Sequence, residues 1–211
     1  VPRLPAHVAR LGRPVERSRL ARPAVEVAPE LLGTVLVAGD RAGRIVEVEA
    51  YMGEADPGSH AFRGPTARTA TMFGPPGHLY VYFTYGMHWC ANVVCGDDGV
   101  ASAALIRALE PLRGVEAMRE ARPAARRDRD LCNGPAKLCQ ALGLDGRHDG
   151  TDVVRGTDDV WLLEDGWTSD AAPVVSTRIG LTNGADLPWR WHVDGSAHVS
   201  RPSGRGGIVV G

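Results

Sequence analysis

The chain has 211 residues, 44% hydrophobic and 23% charged, with a formal net charge of −1. That suffices for one large domain with a full core, or at most two small ones, and the balance is ordinary for a globular protein. No apolar run approaches the ~20 residues of a membrane helix, and the N-terminal segment lacks the apolar stretch of a secretory signal, so an intracellular protein without a membrane span is expected.

The near-neutral total hides a split. Residues 1–22 carry Arg3, Arg10, Arg13, Arg17, Arg19 and Arg22 against Glu16, a net of +5 that leaves −6 for the rest. Much of that acid lies in DGRHDGTDVVRGTDD and the following LLEDG, expected as a surface loop facing away from any polyanion. A positive working face is therefore compatible with the total. The four cysteines, Cys90, Cys95, Cys132 and Cys139, lack CxxC spacing and lie in apolar segments. They are expected as buried free thiols, with no disulfide and no structural metal.

In chain order, residues 1–22 are Pro- and Arg-rich without apolar periodicity and are expected as an arm rather than a folded element. Residues 23–202 show no repeat or linker and read as a single domain, and residues 203–211 as a loose tail. PAVEVAPELLGTVLV predicts a short helix ending near Gly33 and feeding a strand; GRIVEVEAYM predicts the next strand after an AGDRAG turn. In that strand a period of two puts Val46, Val48, Ala50 and Met52 on one face and Glu47, Glu49 and Tyr51 on the other. The plain reading of the polar face is the wet side of an edge or outer strand. The alternative is a working surface, with the DPGS turn delivering His60 just beyond it.

GHLYVYFTYGMHWCANVVCG predicts strands flanking a tight bend at Tyr85-Gly86-Met87. ASAALIRAL predicts a further strand interrupted by Arg107, a guanidinium that needs a partner such as Glu49 or a phosphate. Pro111 is expected to open a helix through PLRGVEAMREAR. Asn133 is expected to cap a second helix, GPAKLCQALG, with Pro135 in its first turn and Gly143 past its end. VSTRIGL and PWRWHVDGSAHVS alternate well enough for more strands.

All four tyrosines fall in these segments: Tyr51 on one strand, and Tyr80, Tyr82 and Tyr85 within six residues of one another. Tyr80 and Tyr82 share a strand face opposite Val81 and Phe83. Core packing explains any one of them; together with a carboxylate and an imidazole they form a slot into which a planar base could stack. Tyr85, at a bend beside Gly86 and Met87, is placed to protrude, either as a wedge between DNA base steps or as a dimer contact. Glu49 has the chemistry of a general base, and Glu47, two residues earlier, is expected outside the slot. Lys137 is the only lysine and suits a phosphate contact better than Schiff-base chemistry. No GxGxxG, Walker, GxSxG or HExxH motif occurs.

GRIVEVEAYMGEADPGSHAFRGPTARTATMFGPPGHLYVYFTYGMHWCANVV, with LIRALEPLRG, CNGPAKLCQALG and RIGL…PWRW, resembles the alkyladenine (3-methyladenine) DNA glycosylases of mammalian type, the methylpurine DNA glycosylases, from about residue 30 to 202. The resemblance implies an α+β fold: a single mixed domain around a curved antiparallel β-sheet with flanking helices and a protruding β-hairpin. It implies a monofunctional glycosylase that flips out alkylated or deaminated purines and leaves an abasic site. Glu49 would activate water, held also by Arg107 and the carbonyl of Ile179. Tyr51, His60 and Tyr82 would sandwich the base, and Asn92 would crowd the amino group of guanine. Tyr85 and Met87 would intercalate, and Thr66, Arg68 and Lys137 would meet the DNA backbone. It further implies no cofactor or metal, a monomer, and double-stranded DNA with damaged purines as partner. The location would be cytoplasmic at the nucleoid in a bacterium and nuclear in a eukaryote. Thr69, His88 and Trp89 depart from the family pattern. A non-catalytic damage-binding protein, which would not need Glu49, and a nucleosidase, which would not need the wedge, remain as alternatives.

Overall fold

In the computed structural model, which describes residues 4–200 and the backbone of Ile208–Val209, five helices and ten strands are present among the described residues. In chain order they are α1 (Ala6–Ala9), β1 (Arg13–Pro14), α2 (Arg17–Leu20), α3 (Ala24–Leu31), β2 (Val35–Ala38) and β3 (Arg41–Tyr51), then β4 (Leu79–Thr84), β5 (His88–Val94) and β6 (Ala103–Arg113). They continue with α4 (Val115–Ala121), α5 (Pro135–Leu142), β7 (Val160–Glu164), β8 (Val174–Ser176), β9 (Arg190–His192) and β10 (Ile208–Val209). Every strand pairing is antiparallel, in the order β1-β7-β2-β3-β6-β5-β4, with β9 on β3 and β8, and β10 on β8. The sheet curls into a half-barrel, the mixed α+β architecture expected from the sequence.

Helix α3 buries Ala24, Val27, Ala28 and Leu31, the spacing of one helical stripe. Gly33 follows it at φ 88, and a Cβ there would lie 2.5 Å from the Trp167 ring, so both backbone and space demand glycine. Helix α5 buries Leu138, Cys139, Ala141 and Leu142 and closes on Gly143 in the left-handed region at φ 75. These helices pack with Ile45, Val48, Ala50, Leu79, Val93 and Ile106 into the main core. All four cysteines are free and buried.

Strand β3 is central, not an edge. Beta2 and β9 share one of its sides and β6 takes the other, and Glu47 and Glu49 are 0% exposed. The wet-face reading therefore fails, because the C-terminal third of the chain, through Ile179, Arg190 and Ser200, covers the carboxylates. Simple alternation fails as well. Between Ile45 and Val48 the β3–β6 register shifts twice, which leaves Val46 and Arg107 as unpaired, bulged residues, and so Ile45 joins Val48 and Ala50 in the core.

Other expectations are corrected. Residues 4–22 are not a free arm: Val8, Val15 and Leu20 are buried, and β1 pairs with β7. Four of the arginines meet acids, Arg13 and Arg19 on Glu164, Arg17 on Asp152 (2.6 Å) and Arg22 on Glu30 (2.5 Å). Two of those acids belong to the acidic stretch expected to face elsewhere. Pro111 lies inside β6, and the helix starts only at Val115 after Gly114. Gly134, not Asn133, caps α5; the Asn133 Oδ1 accepts from Lys137 Nζ (2.7 Å). The strands expected over VSTRIGL and PWRWHVDGSAHVS shorten to β8 and β9. The tail expected over 203–211 lies outside the described residues except at β10, which pairs with Val174 and Val175.

Candidate active site

A cavity of about 270 Å³ opens where β3, β6 and the β4–β5 hairpin converge. Its wall includes Tyr51, His60, Tyr80, Tyr82, Tyr85, Asn92, Arg107 and Ile179, all singled out in the sequence, so these eight meet in one place. Glu49 lies immediately behind that wall, held by three of its members. The Ile179 N–H donates to Glu49 Oε1 (2.7 Å), the Tyr51 hydroxyl donates to Oε2 (2.9 Å), and Arg107 Nη1 sits 3.2 Å from Oε2. Sequence reasoning implied a role for the Ile179 carbonyl; the hydrogen bond observed comes from its N–H.

The bulge at Arg107 explains how a guanidinium in an apolar strand reaches two carboxylates: freed from the ladder, it also donates from Nε to Glu47 Oε1 (3.1 Å). Glu47 is the anchor of this cluster. Its Oε1 further accepts from Arg190 Nε (2.7 Å) and Ser200 Oγ (2.8 Å), and its Oε2 from the Ser200 N–H. Burial would push the Glu47 carboxyl up, but Arg107, Arg190 and the Ser200 N–H outweigh it and hold it below the usual carboxylate range. Arg190 and Ser200 were missed in the sequence, although Arg190, set between Trp189 and Trp191, poses the same demand for a carboxylate as Arg107.

The aromatic walls are fixed by the hairpin. Tyr80 and Tyr82 stack at 5.4 Å, and the His60 ring meets Tyr82 edge-on at 4.5 Å while its Nδ1 lies 3.4 Å from the Tyr80 hydroxyl. Desolvation against this wall, then the charge of Arg68, holds the exposed-edged His60 imidazole below its ordinary value. Burial, then the Glu49 charge, pushes the Tyr51 phenol far up; burial, then Cys90, does so for Tyr82; burial brings Tyr80 up to about 12. All three stay hydrogen-bond donors at neutral pH. Buried Asn92, paired across the hairpin with Tyr80, donates Nδ2–H to the Tyr80 carbonyl (3.0 Å), which fixes its amide at the cavity.

Tyr85 is 83% exposed at φ 51, beside Gly86 at φ 66 and Met87 at 67% exposure, so the bend holds its apolar tip outward. Phe83, also exposed, extends the tip. Arg68 lies over the Tyr82 ring (5.7 Å) and donates to the Phe83 carbonyl (3.2 Å). Thr66 is exposed on the same loop, and Thr69, the departure from the family pattern, closes it: the Thr66 N–H donates to Thr69 Oγ1 (2.9 Å). Lys137 is exposed and off the cavity wall, although Pro135 in the first turn of the same helix is part of it. Gly58, Met72, Thr84, Cys90, Leu105, Gly180 and Leu181 complete the lining without a signal in the sequence. No group of three or more His, Cys, Asp or Glu suited to a metal is found among the described residues.

The family model of the methylpurine-DNA glycosylases, "Methylpurine-DNA glycosylase (MPG)", matches residues 18–197. The chain belongs to the methylpurine-DNA glycosylase family. It is 58% identical over 190 residues, 90% of this chain and 92% of the relative, to a Burkholderia cenocepacia protein named "Putative 3-methyladenine DNA glycosylase". Proteins of the same name from Rhodopseudomonas palustris and Nitrobacter winogradskyi are 50% and 46% identical, each over 91% of this chain. The match begins at Arg17's neighbour Ser18, inside the segment expected as an arm, in keeping with the burial of Leu20. No described helix of this glycosylase is long and apolar enough to cross a membrane.

Proposed function

We propose that the chain is a base-excision glycosylase that acts, as a monomer, on double-stranded DNA and hydrolyses the N-glycosidic bond of alkylated purines such as 3-methyladenine, with Glu49 as its working carboxylate. The observation that carries this reading is that a fully buried carboxylate is gripped by three members of an aromatic cavity wall, under a protruding tyrosine. The sugar C1′ is out of reach inside a stacked duplex, so the nucleotide must be flipped, at roughly a few kcal/mol. Tyr85, with Met87, fills the gap in the stack, while Arg68, Thr66 and Lys137 meet the backbone.

In the cavity the purine stacks between Tyr51 and Tyr82 with His60 at its edge, and a cationic base gains a cation–π contribution. Asn92 stands against the exocyclic amino group that distinguishes guanine. As the bond lengthens, positive charge develops on the sugar and the Glu49 anion stabilises it. Glu49 also takes a proton from the attacking water, once the seated base opens its Tyr51 or Arg107 contact. Among the described residues the lining includes no Asp, Glu or Lys, the Tyr51, Tyr80 and Tyr82 phenols and the Cys90 thiol are shifted upward, and His60 is shifted downward. None of these is an effective general acid at neutral pH, which favours bases that depart already carrying positive charge. Release of free base from duplexes containing 3-methyladenine, hypoxanthine or ethenoadenine tests the reading, with alkali revealing abasic sites. 3-Methyladenine is expected to leave fastest, and no release from any duplex would overturn it.

A further inference from the structure

Arg178 and Asp56 form an ion pair with both side chains 0% exposed and absent from the cavity wall. The pairing is bidentate, Nη1 to Oδ2 at 2.5 Å and Nη2 to Oδ1 at 2.8 Å. What it joins is the informative part. Arg178 also donates to the carbonyl of Ala50 (2.9 Å), the residue between Glu49 and Tyr51, and to the carbonyl of Gly184 (3.1 Å). Asp56 accepts from the N–H of Met52 (3.2 Å) and of Gly58 (2.9 Å). The end of β3, the loop leading to His60 and the loop carrying Ile179 are thereby closed on one guanidinium. Both loops approach it closely: a Cβ on Gly58 would lie 2.8 Å from Nη2, and one on Gly184 at 3.0 Å.

The same guanidinium lies over the Tyr51 ring at 4.7 Å and the Trp189 ring at 5.2 Å. Tyr51 faces the cavity and Arg178 does not, so the cation backs the phenol on the far side. We propose that Arg178, clamped by Asp56, is a positioning residue for Glu49: through its peptide neighbour Ile179 and through the Tyr51 ring it aims the two hydrogen bonds that the two carboxylate oxygens receive. This rests on the glycosylase reading above. A buried ion pair is a poor way to gain stability compared with apolar packing of the same volume, whereas a fork with two fixed directions is a good way to hold geometry. The charge acts in the same sense: behind the ring, it opposes the upward push of burial and Glu49 on the phenol, and so strengthens the donor.

The test compares wild type, Arg178→Lys and the charge-free double variant Arg178→Met with Asp56→Leu. Melting temperature, lesion-duplex affinity and single-turnover base release from pH 5 to 9 are measured for each. The double variant, which leaves no unpaired buried charge, is expected to fold and to bind lesion duplex within about threefold of wild type. Its release rate falls about 30–100-fold, the scale of a misplaced catalytic group. The loss falls on release and not on affinity, the split expected when a catalytic group is misaimed and binding is kept. Arg178→Lys, with the charge but not the fork, falls between. An unchanged rate in the folded double variant overturns the proposal. So does a parallel fall in rate and affinity, or failure of both variants to fold, since either marks a purely structural pair. Absence of release by wild type overturns the glycosylase reading itself, and this proposal with it.

Discussion

Replacing Glu49 by glutamine removes a charge while keeping the shape, and the contacts decide how the amide settles. Its oxygen takes the Oε1 position, because an NH2 there would face the Ile179 N–H donor. The nitrogen then faces Tyr51, whose hydroxyl turns to accept. Arg107 keeps Glu47 at 3.1 Å, so no guanidinium is left without a carboxylate, and the stability cost is about 1–3 kcal/mol. The catalytic cost is larger. A unit charge about 5 Å from the developing sugar cation, at an effective dielectric of about 20, contributes roughly 3 kcal/mol, close to two powers of ten in rate. Loss of the base adds about 10²-fold or more, for a total of about 10⁴-fold. Single-turnover base release, run beside lesion-duplex affinity and thermal melting, measures all three quantities. A rate loss below about tenfold, or equal losses of rate and affinity, would refute the assignment of Glu49.

Tyr85→Ala removes a side chain that is 83% exposed, so melting should stay within about 0.5 kcal/mol of wild type. Lesion-duplex affinity should weaken about tenfold or more, and an unchanged affinity and rate would remove the wedge assignment. Glu47→Gln should destabilise by about 3–5 kcal/mol at pH 7, because Arg107 and Arg190 lose a buried partner. The folded Glu47 carboxyl is held low, so its contribution is present above the ordinary carboxylate range and drains away as pH falls below about 4; urea unfolding should show the variant and wild type converging there. A gap independent of pH would sink that account. Leu20→Ala, in the segment expected as an arm, should cost about 2–5 kcal/mol because the side chain is 1% exposed, and a negligible shift in unfolding would mean that the segment is dispensable.

Several parts of the fold were legible because their causes are local. The stripe of α3, the left-handed glycine after α5 and the bend at Tyr85-Gly86-Met87 each follow from residues within a turn of one another. The features that escaped depend on partners distant in sequence. Whether β3 is an edge or a centre is decided by β9 and by Ser200, which lies 153 residues from Glu47. The bulge at Val46 and Arg107 has no signature of its own, since it exists only in the register between two strands. The basic N-terminal segment misled for the same reason: its charge could be counted, but two of its acid partners, Asp152 and Glu164, lie 135 or more residues along the chain. Pro111 misled because the rule that proline opens helices competes with its tolerance at a register irregularity, and here β6 pairs it with Gly43 beside one.

The two carboxylates of β3 share a strand, full burial and a common partner in Arg107, yet their surroundings separate their roles. Glu47 receives two guanidiniums, a hydroxyl and a backbone N–H, all from residues that hold the sheet to its C-terminal cover. It has no capacity left for substrate, and its low-held carboxyl keeps Arg107 in place. Glu49 accepts from Tyr51 and Ile179 and pairs with Arg107, and each of these three also lines the cavity. A ligand entering the cavity must therefore disturb the partners of Glu49 and leave those of Glu47 intact. That asymmetry makes Glu47 the fixed counter-ion and leaves Glu49 the carboxylate held from the cavity wall, which supports the proposed assignment of the chemistry to the second carboxylate although the sequence presents both on one face.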